Sequence, residues 1–429
     1  MNTIELTPAM NAGLPIIRQL EQAGYQAVFV GGAVRDAILG IPVKDIDIAT
    51  AAKPEEVMEL FPRCIPTGLA HGTVTVMLEG TPYEVTTYRK EEQYENYRKP
   101  SAVTYVTDLD EDLLRRDFTV NAMALSGLGV IHDPYGGLRD LRRGVLRCVG
   151  HADDRLMEDA LRMVRAIRFI GVYGFHPSAS VWRALQRHRE LLRHVAMERI
   201  LAELDKMMAS SRPARCLTWL LASGLLSRTK LPLGNVDKLS DPALRQVDLS
   251  FLEGINDLDV RWASVLLAGS WTLQEAEAAL ESLHMSNKKS KRILPIIRIH
   301  ESMRAGLKEL ADRFLLEKMM ERFAGLFLHH GATSASDWLI IQASIPRNSV
   351  LSILSPSSLR AMNKLLHDAP VRSVKDLDLN GAELAKALGK KPGPWLKESL
   401  DHLMLQTALG RLDNVKPLLL AAAIAREED

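Results

Sequence analysis

The sequence predicts an α+β protein, with a sheet-bearing head up to about residue 150 and an all-helical remainder. Three observations carry this. Runs of β-branched and aromatic residues with strand length, QAVFV (26–30), TVTVML (73–78) and YEVTTY (83–88), all fall in the first third. From 151 onward the chain offers amphipathic segments, 179–209, 259–283 and 382–406, broken by SSRP, LPLGNVDKLSDP, SIPRNS and GKKPGPW. A chain of 429 residues also exceeds what one core usually holds, so two to four domains are expected.

Taken in order, Thr7 and Pro8 followed by helically spaced apolar residues mark a first helix rather than a secretory signal. KPEEVMELF has a proline near its start and acids in its first turn, the marks of a second helix. The longest apolar run, LLLAAAIA, falls far short of the roughly 18 residues of a membrane span. Cys64, Cys148 and Cys216 are widely separated, without metal spacing, so a reducing cytoplasm is expected and a structural zinc site is not. Net charge is +1, so any RNA partner must be read from local features. No internal repeat or low-complexity tract is present.

The stretch FVGGAVRDAILGIPVKDIDIAT (29–50) concentrates chemistry. Gly31 and Gly32 after a strand let backbone N–H groups approach a phosphate, and a helix N-terminus follows; an ordinary tight turn has the same pattern. Asp45 and Asp47, two apart in an extended segment, face one way while Ile46 and Ile48 enter the core. Paired acids call for a cation, and Mg²⁺ shared with substrate phosphates answers, the alternative being a solvated strand edge. With Arg35 nearby, the phosphate and metal reading is preferred. No Walker or dinucleotide fingerprint occurs.

GGAVRD followed by DIDIAT resembles motif A of the class II tRNA nucleotidyltransferases and bacterial poly(A) polymerases. The resemblance implies a polymerase-β-like nucleotidyltransferase head in which Asp45 and Asp47 bind Mg²⁺ and are catalytic. RRDFTVNAMA (115–124) is similar to motif B, which places Arg116, Asp117 and Asn121 around the sugar and triphosphate, beside a reading of Asp117 as a helix cap. DPYGGLRDL (133–141) is similar to motif C, where Gly136 and Gly137 suit a hinge or an ordinary turn. The charged tract RKEEQYENYRKP (89–100) reads as a mobile surface loop. By resemblance it matches the flexible loop that CCA-adding members use when switching from C to A, and its length argues against a C-only enzyme. Glu84 reads as a plain surface residue, with a third acid near the pair as the alternative.

EDALRMVRAIRF (158–169) resembles motif D, the amino-acid template of this family. Steps of three along a helix would make Asp159, Arg162, Arg165 and Arg168 successive neighbours, which a solvated salt-bridge ladder would also do. Chemistry sharpens the reading. Cytosine and adenine both show an amino donor beside a ring-nitrogen acceptor, whereas uracil and guanine show a carbonyl beside N–H. Asp159 would accept from the amino group and Arg162 would donate to the ring nitrogen, rejecting UTP and GTP by on the order of 10⁴-fold. The resemblance leaves Arg165 and Arg168 to steady Asp159 or meet phosphates, and makes Glu158 the preceding acid of the motif.

VAMERILAELDKMM (195–208) resembles the next helical motif of the family and reads mainly as packing. SNKKSKR (286–292) and GKKPGPWLKE (389–398) are short basic clusters that suit RNA phosphates or plain solvent. The resemblance implies a head (1–150), a neck carrying the template (151–212), a body (213–300) and a tail (301–429) that holds the tRNA 3′ acceptor arm by shape. The expected function is addition of C, C and A to tRNA from CTP and ATP with release of pyrophosphate, in the cytoplasm, with no membrane partner and a homodimer left open. An A-adding, CC-adding or poly(A) relative is the alternative within the same chemistry. A silent RNA-binding protein of the same fold is the alternative outside it.

Overall fold

The computed structural model describes residues 2–43, 45–95, 99–231, 248–309, 315–347, 349 and 351–428. The chain divides into two compact units, Met1–Met207 with Arg215–Pro232, and Met208–Ala214 with Leu233–Asp429.

The first unit opens on α1 (Pro8–Gln22), where Thr7 accepts a hydrogen bond from the Met10 N–H and Pro8 takes the first helical position. Seven strands follow in one mixed sheet. Their chain order is β1 (Ala27–Val30), β2 (Asp47–Thr50), β3 (Cys64–Gly68), β4 (Thr73–Leu78), β5 (Thr81–Thr87), β8 (Ala124–Leu125) and β9 (Ile131–His132). Their spatial order is β3-β4-β5-β2-β1-β8-β9. Only β2 and β5 run parallel, with Asp47 opposite Glu84. The short helix α2 (Gly32–Ile38) leaves the end of β1, and α3 (Pro54–Leu60) follows β2. Val28, Val30 and Ala49 from the sheet pack with Tyr88, Leu113 and Ala122 in one buried cluster. The opposite-facing Phe29 and Ile48 are fully buried too, so both faces of the central strands are covered.

The tract 89–100 departs from the loop reading. It forms β6 (Arg89–Glu95) and the first two residues of β7 (Lys99–Tyr105), paired antiparallel from Arg89↔Tyr105 to Glu95↔Lys99. Residues 96–98 of that tract lie outside the described residues. Backbone pairing between two nearby segments supplies hydrogen bonds that the intrinsic preference of a Lys- and Glu-rich run does not forecast. The glycines at 136 and 137 form the turn that starts a helix, one required by conformation and the other by packing. Gly136 has φ +75°, and a Cβ on Gly137 would stand 2.2 Å from the Thr119 carbonyl. Asp133 caps the helix they start, α5 (Gly137–Arg143), accepting from the Gly137 and Leu138 N–H groups at 2.7 and 2.9 Å.

Helices dominate after residue 150, with one two-residue exception in which β10 (Val145–Leu146) pairs parallel to β11 (His176–Pro177). Each long amphipathic segment resolves into two helices, as with Leu258–Ala268 and Leu273–Ser282. In the second unit the buried Trp338, Phe323 and Phe327 form an aromatic cluster among these helices. The break LPLGNVDKLSDP lies almost wholly outside the described residues.

Candidate active site

A cleft of about 630 Å³ in the first unit gathers most of the residues singled out in the sequence. Its floor is the β1–α2 turn and the start of β2. Gly31 has φ +70°, and a Cβ there would lie 3.1 Å from Arg116 Nη1 and 3.4 Å from Asp47 Oδ2. A glycine is therefore required both by conformation and by the close approach of charged groups. Asp47 sits on β2 at the cleft, half-buried, while Ile46 and Ile48 are buried as the alternation demands. Asp45 precedes the strand, is exposed and does not line the cleft. Burial, then the charge of Glu84, push the Asp47 carboxyl above its ordinary value against the pull of Arg116, and Asp45 adds to the push.

A second wall comes from the stretch between α4 (Leu109–Leu114) and the 3₁₀ turn Thr119–Asn121. Asp117 accepts from Arg165 Nε and Nη2 at 2.8 and 2.6 Å, from Asn121 Nδ2 at 3.0 Å and from the Phe118 N–H at 2.8 Å. Burial would raise this carboxyl, but the Arg165 charge and these hydrogen bonds hold it well below the usual range. Asn121 in turn accepts from Arg35, which also donates to the Tyr173 hydroxyl at 2.6 Å and lies over the Tyr173 ring at 4.3 Å. Arg35 thus lines the cleft as a buried, fully engaged side chain rather than an open phosphate hook.

Replacing Asp117 with Asn leaves Arg165 facing a neutral partner. Urea unfolding at neutral pH is expected to show a loss of about 3 kcal/mol. Because the folded carboxyl is held low, its contribution is complete above the unfolded value of about 3.9 and fades as pH falls through the folded one. The gap between the two proteins should begin to narrow only below about pH 4 and close as pH falls through the folded value.

The third wall departs from the single helix expected. Helix α6 (Ala152–Glu158) ends at Asp159, whose backbone is extended (φ −138°, ψ 105°), and α7 (Leu161–Tyr173) starts afresh. The reason is local: Asp159 Oδ1 accepts from the Leu161 N–H at 3.1 Å, a side-chain-to-backbone bond that competes with continuing the turn. Asp159 is therefore not on the arginine ridge. Its partner is Arg199 on α9 (Met197–Met208), Nη2 to Oδ2 2.8 Å, and not Arg165 or Arg168. Arg168 donates to Glu203 at 2.5 Å and covers the Phe169 ring at 4.3 Å. Arg162 is held from behind by Glu158, by the Arg155 carbonyl at 3.0 Å and by the Arg115 carbonyl at 3.2 Å. Glu158 thus supports Arg162 without lining the cleft.

Sequence reading missed several residues here. Buried Asp112 grips Arg115 and Arg116, and Glu203 anchors Arg168 and Lys206. The i,i+3 and i,i+4 spacing of Asp112 to the two arginines was an available signal. The Arg199–Asp159 pair joins residues 40 apart and had no local signal. His71, Arg89 and Phe169 also line the cleft unannounced. Among the described residues no three His, Cys, Asp or Glu side chains gather to hold a metal alone. In the second unit, Arg292 of the first basic cluster is committed to Asp257 and Asp337 at 2.9 and 3.3 Å. In the other cluster, Lys390 lies 5.7 Å from the Trp395 ring centre and pairs with Glu427. No helix is long and apolar enough to cross a membrane among the described residues.

A mixed sheet whose Gly-Gly turn faces a strand-borne aspartate, opposite a wall of arginines, defines a nucleotidyltransferase head with helices attached. Comparisons with known proteins agree. Residues 27–147 match the poly A polymerase head domain, 174–229 a probable RNA and SrmB-binding site of polymerase A, and 255–423 a second domain of tRNA nucleotidyltransferases. The CCA-adding enzymes of Geobacillus stearothermophilus and Geobacillus thermodenitrificans are 35% and 37% identical, each over 98% of both chains. The crystal structure of the Bacillus stearothermophilus CCA-adding enzyme in complex with CTP superposes with a TM-score of 0.82 at 32% identity, covering 98% of both chains. The chain belongs to the family of CCA-adding enzymes. It is accordingly a tRNA nucleotidyltransferase, and the narrower or silent alternatives are not favoured.

Proposed function

We propose that this chain adds C, C and A to the tRNA 3′ end with Asp159 and Arg162 as the base-selecting pair and Asp47 as the catalytic carboxylate at the floor of the same cleft. The observation that supports this best is their common location. Asp47, Asp117 and the neighbouring Asp159 and Arg162 come from three separate segments and line one cavity. CTP and ATP are the incoming nucleotides, and the tRNA acceptor arm supplies the 3′-hydroxyl. That oxygen attacks the α-phosphate, the bond to the β-phosphate oxygen breaks, and pyrophosphate leaves.

Asp159 keeps a fixed orientation through Arg199 and the Leu161 N–H, so its remaining lone pairs can meet an exocyclic amino group. Arg162 is steadied by two carbonyls and Glu158 and presents its guanidinium beside it. Arg116, next to Gly31 and Asp47, is placed for triphosphate oxygens, with the N–H groups of Gly31 and Gly32. Asp117 and Asn121 form a rigid polar edge for the sugar, ordered by Arg165 and Arg35. Arg165 and Arg168 act chiefly through Asp117 and Glu203.

The acids at the floor fit Mg²⁺. Their donors are all oxygen, and burial, then the charges of Glu84 and Asp45, raise the Asp47 carboxyl, an environment that a bound cation would relieve. Asp47 would hold an ion from within the cleft and Asp45 from its exposed position just before β2, with nucleotide phosphates completing the shell. When bound, the metals favour ionisation of the attacking hydroxyl and offset charge on the leaving pyrophosphate.

The test is extension of tRNA transcripts ending before CCA and after CC, with Mg²⁺ and each nucleotide separately or CTP and ATP together. Two C additions and then one A, with UTP and GTP refused, are expected. Transfer of only A or only C would overturn the full CCA reading while leaving the transfer chemistry in place.

A further inference from the structure

We propose that Asp112 is a positioning residue that ties the root of the β6–β7 hairpin to the base-reading arginine. Its side chain is fully buried at the end of α4. One oxygen accepts from Arg115 Nε and Nη2 at 2.9 and 2.7 Å and from the backbone N–H of Arg89, the first residue of β6, at 3.3 Å. The other accepts from Arg116 Nη2 at 3.1 Å. The carbonyl of Arg115 then accepts from Arg162 Nη2 at 3.2 Å. A single carboxylate therefore fixes the hairpin root, the arginine beside Asp47, and the backbone segment on which Arg162 leans.

The physical case is one of demand. Burial alone would raise the carboxyl, yet Arg115 and Arg116 hold it below the ordinary range, so the ionised form is the one the fold uses. A buried carboxylate saturated by two guanidiniums and a backbone donor imposes one geometry on all three, and tilting any of them leaves the others unpaired. Arg89 also donates to the His71 carbonyl, so a second contact at the cleft rim moves with the hairpin root. Asp112 touches no substrate in this arrangement and acts through Arg115, Arg116 and Arg162.

The inference rests on Arg162 reading the base, and the experiment separates the two claims. Kinetics of single C and single A addition, and of UTP misuse, are measured for Asp112→Asn, Arg162→Lys and the double variant, alongside melting temperature. Asp112→Asn is expected to lower the preference for CTP over UTP by about tenfold, beyond any general loss of kcat. The double variant should lose less than the product of the single losses, as coupled residues do. If Asp112→Asn fails to fold, Arg115→Lys, which keeps the charge but loses the two-pronged grip, should relax the same preference by about threefold. An unchanged preference in Asp112→Asn, or in Arg115→Lys where that variant stands in, or strict multiplicativity in the double variant, overturns the proposal. Unchanged preference in Arg162→Lys itself overturns instead the base-reading assignment on which it rests.

Discussion

Asp47→Ala is expected to reduce nucleotide transfer by about 10³-fold or more, since several kcal/mol of charge stabilisation depend on this carboxylate. Binding of tRNA should stay within about threefold, because phosphate contacts spread over a basic surface are not centred on one acid. Filter binding and single-turnover extension on the same preparation check both halves. Asp47→Asn adds a sharper sign. Burial and neighbouring acids make the ionised carboxylate unfavourable in the fold, so the folded state holds its proton to higher pH than the unfolded chain. The resulting stability is present at low pH, declines between the unfolded and folded values, and is absent at neutral pH. Neutralising the residue should therefore raise the melting temperature by roughly 2–4 °C while transfer collapses. Chelation of divalent ions should stop wild-type transfer as completely as the substitution does. Transfer that persists in Asp47→Ala would remove the aspartate from the catalytic role.

The second large effect concerns choice rather than rate. Asp159→Ala removes the group assigned to the amino donor of cytosine and adenine, and leaves Arg199 without its carboxylate partner. Discrimination against UTP should weaken by about 10²-fold or more, because rejection depends on buried groups left unpaired by the wrong base. Most of the change should appear as lost kcat/KM for CTP and ATP, with UTP use little altered or slightly improved. Competition of the four nucleotides for one primer reads this directly. Equal loss with every nucleotide would assign Asp159 to holding α7 rather than to reading the base.

Much of the head was legible because its signals are local. TVTVML is β4 to the residue, Thr7-Pro8 starts α1, and the alternation around Asp47 places Ile46 and Ile48 inside. The members of the cleft were legible where motifs carry them, from Gly31 to Arg168. Their partnerships were not. The ridge of arginines suggested mutual support along one helix, whereas Arg165 reaches back 48 residues to Asp117 and Arg168 forward 35 to Glu203. Such pairs depend on tertiary placement, which residue spacing does not encode. The helix break at Asp159 had a readable cue, an aspartate before a new apolar run, but the unbroken helical period concealed it. The hairpin at Arg89 was hidden for the opposite reason, since its composition argues against strands and pairing overrides composition.

The crowding of the cleft has a consequence for how fast substrate arrives. Eight arginines and three aspartates line it, on a chain whose formal net charge is only +1. Asp112, Glu158 and Glu203 behind the arginines offset part of that charge, and a modest positive potential is left at a concave wall. A triphosphate approaching this near-neutral particle is drawn toward one mouth, so its encounter rate should fall with ionic strength in a way that the isoelectric point does not foretell.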